Sequence, residues 1–424
     1  MGNFEIGKNF VEEMDAEDPL TSYREKFLIP KKPTGETAIY FLGNSLGLQA
    51  KVTRKFIESI MTSWEEWGVE AYFYGDDPWL HYPESTLDNL AYIVGANPSE
   101  ITIMNSLTVN LHLMFISFYR PTPKRYKILV EEKVFPSDQY AISSQMQLHH
   151  VNPTNALLEL KPRNDETYIR TEDIVDLIER EGDSIALIWL GGVNYYSGQA
   201  FDLEHITKVG HEKGCIVGYD LAHSVGNVIL KLHEWNVDFA VWCNYKYLNG
   251  GPGSPGGCFV HERHNEMREI PRLEGWWGNK LDTRFLMRPN IDPMEGAGGW
   301  QVSTPSMLGL APLKGSLEIF KEVGMEKLRK KSVLLTGYLE FLINQIPSNQ
   351  FSLITPKDPN QRGCQLSIRT HFNGKQLFDH LTKAGIFCDW REPDVIRVAP
   401  VPLYNNFNEV YQFGEIMRRK GKRS

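Results

Sequence analysis

The sequence predicts an α/β protein: a large unit built on a mostly parallel sheet covered by helices, then a smaller α+β unit. Three observations predict it. Short apolar runs alternate with helical stretches between residues 101 and 260. Most of those runs are apolar throughout instead of alternating with polar residues, the pattern of strands buried on both faces. From residue 305 the pattern changes to a long helical stretch followed by short strands. A chain of 424 residues also exceeds one compact core.

Taken in order, residues 1–44 are polar, carry Pro30 and Pro33, and read as an N-terminal helix and arm packing with the small unit. Val52, Phe56, Ile57, Ile60, Met61 and Trp64 recur at helical spacing. Residues 101–104 read as a strand, and 108–118 as a helix apolar on nearly all sides, hence buried. Strands follow at 128–130 and 185–190. Asp202 caps a helix that runs to Lys213 and is closed by Gly214. Further strands are read at 216–219, 239–244 and 258–260. The C-terminal part reads as one helical stretch over 308–345, strands at 351–354 and 364–368, a helix at 375–383, strands at 386–389 and 395–398, and a last helix. The expected division is 1–44 (arm), 45–304 (large unit) and 305–424 (small unit).

The net charge of −8 argues against a nucleic-acid or anionic-membrane partner, and no run approaches the roughly 20 apolar residues of a membrane span. The five cysteines form no C-x-x-C pair and mostly sit in apolar stretches, so they read as buried free thiols of a reducing compartment. No secretory signal is visible, and the expected location is the cytoplasm.

The chemistry gathers where strands end. Lys246 follows the apolar run 239–243 and precedes a glycine-rich segment. An ammonium is strongly hydrated, so this placement favours a neutral, nucleophilic amine over a solvated surface lysine. Asp220 and His223 close the apolar run 216–219. Singly they fit a turn acid and a core histidine; paired with Lys246 they fit an enzyme holding pyridoxal phosphate, with the lysine bonded to the aldehyde and the aspartate on the ring nitrogen. Leu107 and Thr108 open a buried helix whose N-terminal N–H groups can cradle a phosphate or simply be capped. Phe135 and Asp138 fit either an ordinary loop or a stacking aromatic and a hydrogen-bonding acid. Arg397, in an apolar strand, needs a partner: a structural ion pair, or the α-carboxylate of an amino-acid substrate. GPGSPG at 251–256 matches G-x-G-x-x-G, but its prolines remove donors and a strand follows, so it is no dinucleotide fingerprint. HERH at 261–264 is not H-E-x-x-H, and spacing reveals no metal-ligating set.

The segments YFLGNSLGL (40–48), LTVNLH (107–112), FPSD (135–138), DLAH (220–223), YKYLN (245–249), GWWG (275–278) and IRVAPVPLY (396–404) make the chain resemble the kynureninase family. That family lies within the aspartate-aminotransferase-type fold, fold type I, of pyridoxal-phosphate enzymes, and the resemblance runs over residues 39–412. It implies hydrolysis of the Cβ–Cγ bond of L-kynurenine to anthranilate and L-alanine. It also implies a homodimer with shared sites. By the resemblance, Lys246 and Tyr245 are catalytic. Leu107, Thr108, Phe135, Asp138, Asp220, His223 and Tyr245 hold the cofactor, with Trp276 and Thr304 from a neighbouring subunit. Arg397, Ser45, Tyr72 and Thr304 meet the substrate. Departures from animal members are Thr304 for Asn, Tyr72 for His and Gly191 for Ser; the first resembles bacterial members, which favour kynurenine over its 3-hydroxy form. A cysteine desulfurase is the rival, and it would need an exposed reactive cysteine.

Overall fold

The computed structural model describes residues 4–265 and 270–421. Helices α1 (Lys8–Glu17), α2 (Thr53–Trp67) and α3 (Leu87–Val94) lead into β1 (Ile101–Met104). There follow α4 (Leu107–Phe118), β2 (Lys127–Glu131), α5 (Pro136–Leu148), β3 (Leu157–Leu160), α6 (Thr171–Glu181), β4 (Ile185–Gly191), α7 (Leu203–Glu212), β5 (Ile216–Asp220), β6 (Phe239–Trp242) and β7 (Gly256–Val260). The C-terminal part holds α8 (Met307–Val323), α9 (Met325–Asn344), β8 (Phe351–Leu353), β9 (Leu366–Thr370), α10 (Gly374–Lys383), β10 (Asp389–Arg391), β11 (Val395–Val398) and α11 (Phe407–Gly421).

The large sheet has the order β1-β7-β6-β5-β4-β2-β3. Its strands bury both faces. In β4, Ile188 and Leu190 enter one apolar cluster while Leu187 and Trp189 enter another on the opposite face. In β6, Ala240 and Trp242 part from Phe239 and Val241 in the same way. This two-sided burial, about 1.5–3 kcal/mol per large side chain, is why the runs read as continuously apolar.

One strand departs from the parallel pattern. β7 pairs antiparallel with both β6 and β1; the connection from β6, residues 243–255, is rich in glycine and proline and forms no crossover helix. The helical stretch 308–345 is two helices: Gly324, at φ +80°, separates α8 from α9. Residue 136 opens a helix instead of sitting in a loop, with proline at its first position. Asp202 caps α7 as expected, accepting from His205 N–H at 3.1 Å.

The four-stranded sheet of the C-terminal part has the order β8-β9-β11-β10. Its core joins Leu366, Ile368, Ile396 and Val398 to Leu339 of α9, Phe413 of α11 and Val11 of α1. The N-terminal arm therefore packs here, and it adds a parallel pairing of Ile39 and Tyr40 with Ile386 and Phe387. Among the described residues, no helix is long and apolar enough to cross a membrane.

Candidate active site

A pocket lies where the carboxyl ends of β2, β4 and β5 and the turn after β6 face the C-terminal sheet, the place where open α/β sheets bind ligands. It brings together Ser45, Leu107, Thr108, Phe135 and Asp138 with Asp220, His223, Tyr245, Lys246 and Arg397. The turn carrying Lys246 is pinned from the segment just after the arm. Gly47 N–H donates to Tyr245 O at 2.8 Å, and a Cβ at Gly47 would stand 2.2 Å from Lys246 O. Glycine is the residue that allows this approach.

Lys246 Nζ lies 3.1 Å from His223 Nε2. Burial holds the His223 imidazole well below its ordinary pKa, and the charges of Lys246, Arg397 and Arg391 add to that. His223 is therefore neutral. Its Nδ1 is buried without a partner, a polar atom left for a ligand.

Asp220 ends β5 with part of its surface open to the pocket, and Ala222 N–H donates to its Oδ1 at 2.8 Å. Burial raises its pKa while the charge of Lys246 lowers it. Asp138 is 1% exposed. Burial, then the charges of Asp220 and Glu131, push its carboxyl well up. Trp189 Nε1 donates to it at 3.2 Å. Buried acids so close cannot all ionise, and a cation bound among them would relieve the repulsion.

At the other side, α4 begins at Leu107 with no side chain capping its first turn. The free N–H groups at Leu107 and Thr108 suit an anion. Phe135 is 41% exposed, and its ring meets that of Tyr195 edge-on at 5.2 Å. Burial pushes the Tyr245 phenol up, with Cys243 adding to it, so it stays a proton donor at neutral pH. Arg397 is 1% exposed. It donates to Asp389 through Nε at 2.8 Å and through Nη2, and to Tyr195 O through Nη1 at 2.6 Å. The ion-pair reading of Arg397 and its place in the pocket thus hold together. An anion cradle, a neutral imidazole with a free nitrogen, an acid at a strand end and a lysine are what pyridoxal phosphate requires, and the residues fit it.

The structure does not bring Tyr72, Trp276 or Thr304 to this pocket. Tyr72 packs against Trp79 and Trp277, while Trp276 and Thr304 lie exposed. Sequence reasoning missed Glu131, Tyr195, Asn44 and Arg391, all pocket-lining. Glu131 was findable by the rule that found Asp220, an acid closing an apolar run. Tyr195 and Arg391 carry no such signal.

Spacing also hid Glu100, His233 and His261, whose ligating atoms lie within 4.8 Å of one another. These atoms are already engaged. The Glu100 oxygens accept from His233 and from the N–H groups of Asn97 and Glu262, and His261 Nδ1 accepts from Arg263 N–H. The five cysteines are all buried. Burial raises the thiols of Cys364 and Cys388 to about 12, so neither matches the exposed reactive cysteine of a desulfurase.

The sheet buried on both faces, the smaller C-terminal unit and the strand-end lysine and aspartate define a fold type I pyridoxal-phosphate enzyme. Among solved structures of that fold, a C-DES mutant with glycine covalently linked to the PLP cofactor superposes with a TM-score of 0.77 at 17% identity, covering 93% of this chain and 98% of that one. A family profile described as kynureninase C-terminal domain matches residues 328–417. The chain is 55% identical over 410 residues to kynureninase of Koribacter versatilis (strain Ellin345), covering 97% of both. It is 49% identical to that of Homo sapiens over 95% of this chain and 91% of the relative. The chain belongs to the kynureninase family.

Proposed function

We propose that this protein hydrolyses L-kynurenine to anthranilate and L-alanine with pyridoxal phosphate as cofactor. One observation carries the reading: Lys246, Asp220, His223 and Arg397, from three separate segments, line one pocket. When bound, the cofactor supplies an electron-withdrawing ring that takes up the electrons freed at Cα and Cβ. Lys246 is its covalent anchor, and once released the Nζ amine carries the Cα proton. Asp220 keeps a proton on the ring nitrogen. The free N–H groups of α4, with the Thr108 hydroxyl, hold the phosphate. Arg397 fixes the α-carboxylate, and the Tyr245 phenol donates to the oxyanion that develops on the carbonyl attacked by water.

The working unit in this reading is a homodimer, in which Trp276, Thr304 and the face carrying Tyr72 complete the neighbour's pocket. Their exposure, or distance from the chain's own pocket, supports this. Thr304 then favours kynurenine over its 3-hydroxy form. The division into 1–44, 45–304 and 305–424 belongs to the same proposal; the C-terminal sheet has an apolar cluster of its own with Val11, Ile39 and Phe41, while α8 packs on α2 and α3 and shares the cluster of the large unit. Five buried free thiols support a cytoplasmic location.

The test is Lys246→Ala. It is expected to abolish anthranilate fluorescence from kynurenine and to remove the visible absorbance of the bound cofactor. Borohydride treatment of the wild type is expected to fix a pyridoxyl label on Lys246. Normal turnover by the variant, or a label elsewhere, overturns the proposal.

A further inference from the structure

Glu131 lines the pocket yet has no part in the chemistry above. It ends β2 and is 3% exposed. Both of its carboxyl oxygens face one backbone donor, Gly191 N–H, at 3.2 Å, and Asn194 adds a side-chain hydrogen bond. A Cβ at Gly191 would stand 3.0 Å from Oε1, so the acid fills the notch that glycine leaves.

Gly191 is where the chain leaves β4 and enters the turn that presents Tyr195. That turn touches the site at three points. Gly192 N–H donates to Asp220 O at 2.8 Å. The Tyr195 ring abuts Phe135. The Tyr195 carbonyl accepts from Arg397 Nη1. The far side of the turn is locked by Asn194 Oδ1, which accepts from Tyr196 N–H at 3.0 Å and Ser197 N–H at 2.9 Å. Its near side is held by Glu131. Burial, with the charge of Asp220 adding to it, raises the Glu131 carboxyl from 4.5 to about 7, while Gly191 N–H lowers it. A group held at that cost without a chemical task fits one retained for what it holds.

We propose that Glu131 is a positioning residue for the reaction: by clamping the turn at residues 191–195 it sets where Arg397 and Phe135 stand relative to Asp220. The inference rests on the kynureninase reading.

The experiment compares Glu131→Ala, Glu131→Gln and Gly191→Ala in the holoenzyme, and titrates each apoprotein with pyridoxal phosphate. Glu131→Ala is expected to raise KM for kynurenine about tenfold with kcat lowered no more than about threefold, and to weaken cofactor binding severalfold. Glu131→Gln keeps an oxygen for Gly191 N–H and is expected to bring KM back to within about threefold of wild type. Gly191→Ala pushes the carboxyl aside without removing a polar group, so its KM is expected to rise about two- to fivefold, and combining it with Glu131→Ala adds nothing further. Wild-type KM and cofactor affinity in Glu131→Ala, no recovery in Glu131→Gln, or multiplicative effects in the double variant overturn the inference. If the wild type itself neither binds pyridoxal phosphate nor releases anthranilate, the kynureninase reading fails first and separately.

Discussion

Arg397 has five N–H donors, and its protein partners use three. Two remain, one on each terminal nitrogen, and that is the number a carboxylate fork accepts. Asp389 faces Arg397 directly across the strand pair β10–β11, so the ion pair is what aims the remaining fork. A lysine offers one compact ammonium on a flexible stem and cannot hold Asp389, the Tyr195 carbonyl and a substrate at once. Arg397→Lys is therefore expected to raise KM for kynurenine by about a hundredfold while the bound cofactor keeps its absorbance; an unchanged KM in steady-state assays would remove Arg397 from substrate binding. The sequence showed a charge in an apolar strand that needed a partner. It could not show which partner, because that depends on the register of two strands and on a carbonyl from a distant turn.

At the scale of elements, what was legible follows from burial. The runs at 185–190, 216–219 and 239–242 had to be strands covered on both faces, and Asp220, the acid closing the second, marked the edge of a site. What was not legible follows from connections. The antiparallel β7 goes with a connection that forms no helix, the break at Gly324 is set by one backbone conformation, and the α5 start by a proline that reads equally well as a loop. The segment YFLGNSLGL illustrates the limit. Nothing in it sets Gly47 apart, yet Gly47 is small because the Lys246 turn leaves no room: an added Cβ would meet Lys246 O at 2.2 Å and Asn249 Cα at 2.8 Å. Both neighbours are backbone, and Asn249 already sits at φ +54°, so the turn can move only as a unit. Gly47→Ala is expected to cost about 1–3 kcal/mol in chemical denaturation and to lower turnover sharply by displacing Lys246. Wild-type stability together with wild-type activity would show that Gly47 does not set the position of that turn.

On the scale of the whole molecule, one face is more apolar than a lone chain favours. Phe73 is 49% exposed, Phe285 45% and Trp276 44%, and Phe73 and Trp276 converge on Phe285, with ring centroids at 5.8 and 5.5 Å. Exposed aromatic clusters of this kind mark interaction surfaces. The same face carries Tyr72, whose ring lies 6.3 Å from that of Trp277. In the proposed homodimer a twofold axis at this face would set it against its copy and would deliver Trp276 and Thr304 to the neighbour's pocket. The arrangement makes a prediction that independent sites do not share. In the proposed homodimer, Lys246→Ala and Trp276→Ala are each expected to disable every site in their own homodimers, for different reasons. In a heterodimer of the two, one pocket combines a normal Lys246 with a normal Trp276 and the other lacks both. Unfolding and refolding an equal mixture should therefore restore about a quarter of the wild-type sites, from the half of the dimers that are mixed. If each pocket drew on a single chain, mixing would restore nothing beyond the average of the two parents, and the anthranilate assay on the refolded mixture reads the difference directly.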